Sequence, residues 1–281
     1  MVVADKKGRT GSSAAAPAEA SSPTLQGVSR ALRVLDVVAQ RPMRTTELSE
    51  ELGISWATLQ RTLAQLEADE FISRDERGNF HIGRKTWLLG STYLVGHRLM
   101  ELAVPLLTRE SSLVPTSVLQ LVERSGDTTV VLFSREAASK EVITRTTYGH
   151  HFPLHCGSKG WVFLANAEPE FIDRYLSEPL ISLTPATVTD PDELRERLAE
   201  VREQGYAVTV GDVQSFTGSV AAPVFNDEGQ VEACICAVSR RSSLTGDKQE
   251  QIVELVQRVA QTLSLGLGWQ PLRHAKVVQR G

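Results

Sequence analysis

One stretch constrains this chain more than any other: residues 31–83, and within them Gly53-Ile54-Ser55-Trp56-Ala57-Thr58-Leu59-Gln60-Arg61-Thr62-Leu63. Residues 31–40 are apolar at Leu32, Val34, Leu35, Val37 and Val38, the spacing of a helix with one buried face. Arg41-Pro42 ends it, because proline cannot continue the backbone ladder. Thr45 or Thr46 is expected to cap a second short helix over 47–52, and Gly53 to leave it in the left-handed conformation. Ser55 then caps a third helix running to about Asp69. Leu59, Leu63 and Leu66 make its buried stripe, with Thr62 beside them and Trp56 on the flank. Ala57, Arg61 and Ala64 lie opposite, flanked by Thr58, Gln65 and Gln60, and the acids Glu67, Asp69 and Glu70 wait until the far end. Two strand patterns, 71–74 and 80–82, follow across the turn Asp75-Glu76-Arg77-Gly78-Asn79.

Three helices and a ribbon in that order form a winged helix-turn-helix. Such a unit sets its third helix against base edges and its ribbon against the backbone or minor groove. An outward face rich in small and hydrogen-bonding residues suits a polyanion, and Ser55, Trp56, Thr58, Gln60, Arg61 and Arg77 are the candidate contacts. The same framework also serves as a protein-docking module. Charge does not decide between them: the chain carries a formal charge of −4, and positive surface is local, at Arg61, Arg77, Arg84 and Lys85.

With 281 residues the chain is long enough for two domains, each with its own core. Three cysteines without a CxxC pair argue for a reducing compartment. No apolar run is long enough to span a bilayer, and Lys6, Lys7 and Arg9 lead into small residues rather than a signal sequence, so a cytoplasmic protein is expected. Residues 1–25 read as a disordered tail, 26–83 as the winged unit, 84–100 as a linking helix, 101–267 as a second domain and 268–281 as a flexible basic tail. Trp87, Leu88, Leu89, Tyr93, Leu94, Val95 and Leu99 spread around the linking helix, and that much apolar surface implies pairing with a symmetry mate in a homodimer.

The second domain opens with a helix from Glu101 to about 113 that contains Pro105. Strand patterns follow at 117–123, 128–135 and 141–147, then a loop to Gly157 and helices at 158–165 and 168–176. Asp190 caps a helix that begins with Pro191 and leaves at Gly205. Strands at 206–212, 219–225 and 230–239, the last two a hairpin, precede a closing helix over 247–265. Hairpin-linked strands with grouped helices make an α+β domain.

Its richest cluster is His150, His151, His155, Cys156, Ser158 and Lys159. The loop runs into a helix start, where backbone N–H groups near Gly157, Ser158 and Lys159 can meet an anion, so a small organic carboxylate is the expected ligand; the alternative is a loop of exposed histidines. Cys234 and Cys236 share one strand face with Val238, too far apart along the strand for a disulfide. A zinc site from His151, His155, Cys156 and a strand cysteine is chemically allowed, yet no paired ligand spacing is present. A Cys156 nucleophile lacks an orienting acid, so neither cofactor nor catalysis is expected.

Residues 27–35 (GVSRALRVL), Leu48, Leu52-Gly53-Ile54-Ser55, Thr58-Leu59-Gln60-Arg61 and Asn79-Phe80-His81-Ile82-Gly83 resemble the DNA-binding domain of the IclR family of bacterial transcriptional regulators. The resemblance runs over roughly 27–266 and implies a ligand-responsive regulator that binds a double-stranded operator. It also implies a C-terminal effector-binding domain similar to GAF-type sensors, and dimers that pair into tetramers. It places the run Pro153-Leu154-His155-Cys156-Gly157-Ser158-Lys159-Gly160 along the effector pocket, with Thr209, Ser219, Cys236 and Val238 on neighbouring strands. The chain departs from the family's pattern at Trp56, at Ala57 in place of serine, and at Thr209-Val210-Gly211 in place of acids.

Overall fold

The computed structural model describes residues 23–136 and 151–271, in two compact units that divide between Gly83 and Arg84. The expected strand at 141–147, His150 and most of both tails lie outside the described residues.

In the first unit α1 (Pro23–Gln40), α2 (Thr45–Leu52) and α3 (Trp56–Ala68) precede an antiparallel ribbon of β1 (Ile72–Arg74) and β2 (Phe80–Ile82). Val34, Val38, Leu48, Leu59, Leu63 and Leu66 meet Ile72 and Phe80 in one core. Met43, between α1 and α2, exchanges two backbone hydrogen bonds with Phe80 and ties the ribbon to the helices. Helix α1 starts eight residues earlier than the apolar spacing implied, with Pro23 at a position where a missing N–H is harmless. Neither threonine caps α2. Thr45 and Thr46 lie inside the helix, Arg44 is the boundary residue, and its amide donates to Glu47 Oε2 at 2.7 Å. The Thr45 hydroxyl instead accepts from Gln60 Nε2 at 3.3 Å. Gly53 leaves α2 at φ 64°, as its left-handed role requires.

Helix α3 ends in a Schellman motif, Phe71 N–H to Leu66 C=O at 2.8 Å and Glu70 N–H to Glu67 C=O at 3.0 Å. The left-handed position in it is Glu70, φ 62°, where glycine is usual.

The second unit begins with α4 (Arg84–Gly96) and α5 (Arg98–Glu110), broken at an extended His97. The sequence pattern instead implies one helix over 84–100 and a second from Glu101. The two helices have different partners: Leu99, Met100, Ala103 and Leu107 of α5 are fully buried, whereas Trp87 and Val95 of α4 are 65% and 74% exposed. Pro105 thus falls in the middle of α5, on its exposed side, where the carbonyl it leaves unpaired can meet water.

One antiparallel six-stranded sheet carries the rest, in the order β5-β4-β3-β8-β7-β6. Its strands are β3 (Val118–Ser125), β4 (Thr128–Arg135), β5 (Phe152–Pro153), β6 (Ala207–Val210), β7 (Thr217–Phe225) and β8 (Val231–Arg240). Strand β5 lies where only a loop was expected. Period-two alternation splits two cores. Leu119, Leu121, Val220, Ile235 and Ala237 face α5 and the closing helix α9 (Gly246–Gly266). Val122, Ala207, Ala221, Cys234 and Cys236 face α6 (Gly157–Ala165), α7 (Pro169–Leu176) and α8 (Pro191–Gln204). Glu110 of α5, almost buried, holds Arg258 of α9 at 2.8 Å. Trp269, assigned from sequence to a flexible tail, stacks on Phe225 with ring centroids 5.0 Å apart.

Candidate functional site

On the first unit the candidate contacts fall along α3 and the ribbon. Ser55 sits at the cap position, but its hydroxyl donates to Thr58 Oγ1 at 3.0 Å rather than accepting from an amide. Trp56, on the flank of the leucine stripe, is 59% exposed because it occupies the first position of α3, before the neighbouring helices cover the stripe. Arg61 projects outward, without an ion pair among the described residues. Gln60 is half-buried, and its amide is already tied to Thr45, so it is less available than its outward position implied.

Arg77 stands exposed on the ribbon turn, and the residue that shapes the turn is one that sequence reasoning passed over. The Asp75 carboxylate accepts from His81 Nε2 at 3.0 Å, from Asn79 N at 2.8 Å and Nδ2 at 3.0 Å, and from Arg77 N at 2.9 Å. The His81 contact foremost, then those from Asn79, hold its carboxyl far below the usual carboxylate range. Aspartate at the head of a turn, where its carboxylate can accept from the backbone N–H two residues on, is a legible Asx signal.

On the second unit the start of α6 is the organising feature. The loop from Leu154 folds so tightly under it that a Cβ on Gly160 would collide with the Leu154 carbonyl. Here two of the amides expected to seat an anion already have partners. Gly157 N–H donates to Asp212 Oδ2 at 2.6 Å and Ser158 N–H to Thr209 Oγ1 at 3.1 Å. The Ser158 hydroxyl donates to Ser219 Oγ at 2.8 Å and lies 3.9 Å from Cys236 Sγ, while Thr209 and Ser219 hydroxyls are 3.2 Å apart. Register explains the meeting: Thr209, Ser219, Val238 and Val118 form one row across β6, β7, β8 and β3, with Val238 half-buried. Cys236 and Gln120 belong to the next row.

His155 is not turned toward this cluster. Its Nε2 lies 2.8 Å from the Ile181 carbonyl and its Nδ1 2.8 Å from the Tyr175 hydroxyl. A carbonyl only accepts, so the neutral ring carries its proton on Nε2 and accepts from Tyr175. No nitrogen remains for an effector or a metal, and no cluster of three His, Cys, Asp or Glu residues that suits a metal occurs among the described residues. His151 is exposed and pairs with Thr128 Oγ1 at 2.9 Å. Cys156 is fully buried; desolvation, then the Asp212 charge, push its thiol up to about 12, which rules out a resting thiolate nucleophile. Burial likewise raises Cys236, an effect that the nearby Lys159 charge partly offsets.

Lys159 is the anomaly. Only 8% exposed, its ammonium donates to Gln120 Oε1 at 3.2 Å and sits 5.2 Å from the centre of the Phe152 ring. No carboxylate pairs with it among the described residues. Gln120 was legible as the one polar residue in the buried first five positions of β3, Val118–Val122. Asp212 was not, because only the positive φ of 80° at Gly211 turns the chain so that it reaches back to α6. A strap over the site is laced by Thr184 Oγ1 to the Gly211 carbonyl at 2.7 Å and Thr187 Oγ1 to the Asp212 carbonyl at 2.6 Å. Thr209 and Asp212 also line a groove of about 470 Å³ bounded by Trp161, Tyr206 and Arg197.

Comparison with known proteins agrees in both units. Residues 27–76 match the IclR helix-turn-helix domain, and residues 91–265 match the family described as bacterial transcriptional regulator IclR C-terminal. The HTH-type transcriptional regulator KipR of Bacillus subtilis is 28% identical over 246 residues, 86% of this chain and 97% of that one. An IclR transcriptional regulator from Alicyclobacillus acidocaldarius superposes with a TM-score of 0.78 at 29% identity, over 86% of this chain and 99% of that one. An IclR homolog from Microbacterium hydrocarbonoxydans, crystallised with 4-hydroxybenzoate, superposes with a TM-score of 0.75 at 25% identity, over 86% and 98%.

Proposed function

The chain belongs to the IclR family of bacterial transcriptional regulators, and on that premise we propose how its two units divide the task. It is a ligand-responsive DNA-binding regulator of the IclR type and not an enzyme. Among the described residues no helix is long and apolar enough to cross a membrane. In our reading α3 enters the major groove of an operator and presents Ser55, Trp56, Thr58, Gln60 and Arg61, while Arg77 on the ribbon meets the adjacent backbone.

The effector is a small carboxylate whose acid group pairs with the Lys159 ammonium, between Gln120 and the small-residue wall of Ser219, Cys236 and Val238. The single observation that carries this is the buried Lys159, whose ammonium meets Gln120 but no carboxylate among the described residues. Charges that deep are normally paired, so the ligand supplies the missing partner. The expected seat on the Ser158 and Lys159 amides is disfavoured because Thr209 Oγ1 already accepts from Ser158 N–H and the Asp212 carboxylate stands at the adjoining Gly157 amide. Asp212, with Thr209, is left to meet a hydroxyl or other donor at the far end of the ligand. The relative crystallised with 4-hydroxybenzoate, an acid with a hydroxyl, fits this pattern.

Two copies pair through α4, where Trp87, Leu88, Leu89, Tyr93 and Val95 are all about half exposed or more, and the dimers pair again into tetramers.

A thermal-shift series of aromatic and aliphatic monocarboxylates, each run beside its neutral amide, tests the effector. Acids raise the melting midpoint and their amides do not; Lys159→Met, which replaces a buried ammonium held by Gln120 with an apolar chain of similar length and should fold well, loses the response. Equal shifts from acid and amide, or an undiminished response in Lys159→Met, would sink the assignment.

A further inference from the structure

Trp56 is 59% exposed, and its indole N–H has no partner among the described residues. Large aromatics are usually buried, and an exposed one in a small unit asks for a reason. Packing gives none. The core is closed by Leu59, Leu63 and Leu66 on the same helix, each 8% exposed or less. Trp56 also occupies the first turn of α3, and in a helix-turn-helix it is the N-terminal residues of the recognition helix that reach base edges. Its neighbours clear the approach: Ser55 and Ala57 are small and exposed, Arg61 stands about one turn on, and the one acid of α3, Glu67, lies in its last turn.

We propose that Trp56 reads thymine, laying its indole against the C5 methyl group in the major groove. The inference rests on the reading that α3 enters that groove. The indole offers a broad apolar face and one donor, and no acceptor. In the major groove the apolar feature is the thymine methyl, and the adjacent thymine O4 takes a donor. Guanine and cytosine present no methyl, so such a contact prefers A·T pairs at one position of each half-site. Insertion of the ring between base steps is the competing geometry, which belongs to minor-groove wedges rather than to a helix lying in the major groove.

The test uses the full-length protein. Duplexes are selected from a randomised pool, and binding to the selected sequence is then measured by fluorescence anisotropy with each thymine replaced in turn by uracil, which removes only the methyl. For the parent, one uracil position per half-site weakens binding about three- to fivefold, the loss expected for one buried methyl group. Trp56→Ala shows a similar loss on the thymine duplex and no further loss with uracil, whereas Trp56→Phe retains part of the discrimination; unchanged melting curves show that the variants are folded. Uracil tolerated everywhere by the parent, or equal uracil losses in parent and Trp56→Ala, overturns the assignment, as does DNA bending that vanishes in Trp56→Ala without any methyl dependence. If the parent selects no sequence at all, both the groove reading and the thymine contact fall. If selection succeeds and Arg61→Ala relaxes it while no uracil position matters, only the Trp56 assignment falls.

Discussion

Single residues set the two turns on which the winged unit depends. Glu70 holds a left-handed backbone in a motif that glycine favours, a conformation that costs a non-glycine residue about 1 kcal/mol or more. Glu70→Gly should therefore raise the stability of this unit by about 0.5–1 kcal/mol, read from denaturant midpoints of the isolated transition, even though glycine loosens the unfolded chain. A lower midpoint would show that the Glu70 side chain contributes something its conformation conceals. Asp75 acts through its charge. Because its carboxyl is held below its unfolded value, chiefly by His81, its contribution is complete above about pH 4 and fades only as pH falls further. The Arg77 and Asn79 amide signals should thus stay constant from neutral pH to about 4 and move only in stronger acid. Asp75→Ala should loosen the turn at every pH, and a titration midpoint near the ordinary aspartate value would remove this account.

At the scale of elements, what was legible was periodic. The leucine stripe of α3 and the common face of Cys234, Cys236 and Val238 follow from spacings of 3.6 and 2, and the Gly53 and Gly205 exits from the left-handed backbone that glycine tolerates. What was not legible depended on partners far away in sequence. The break at His97 follows Gly96, but a glycine inside an apolar helical pattern does not by itself fix an end; the break falls there because α5 packs on the sheet while α4 stays largely exposed. Asp212, too, reads as the last residue of a strand pattern; the strand stops at Val210, and the turn at Gly211 brings the acid to Gly157. The outward face of α3 carries a prediction of its own. Arg61→Ala should weaken specific operator binding by about 1–3 kcal/mol and relax preference at one position. Arg77→Ala should weaken all duplexes alike and reduce the salt slope by about one. Anisotropy titrations across salt concentrations distinguish the two, and unchanged affinity in both folded variants would remove α3 and the ribbon from the DNA.

For the molecule as a whole, ligand and operator are linked through a coupling free energy, typically about 1–3 kcal/mol, that acts equally in both directions. Pairing through α4 would double that lever and supply the two-fold axis of a palindromic site. Light scattering at micromolar concentration should return at least a dimer mass, and Leu88→Glu with Leu89→Glu should shift it to the monomer; a parent that is already monomeric would refute the pairing. The sheet order has a consequence of another kind. Its central ladder joins β3 to β8, so that Val118 waits for Val238, more than a hundred residues later in synthesis. The winged unit is contiguous in sequence and mostly helical, and it can form while the rest is still being made. The effector half cannot close until nearly its whole length has left the ribosome, and until then β3 offers a bare edge to any other strand. A nascent chain of this protein is therefore able to grip DNA before it is able to sense anything, and a chain truncated before residue 230 should bind without regulation and aggregate through that edge.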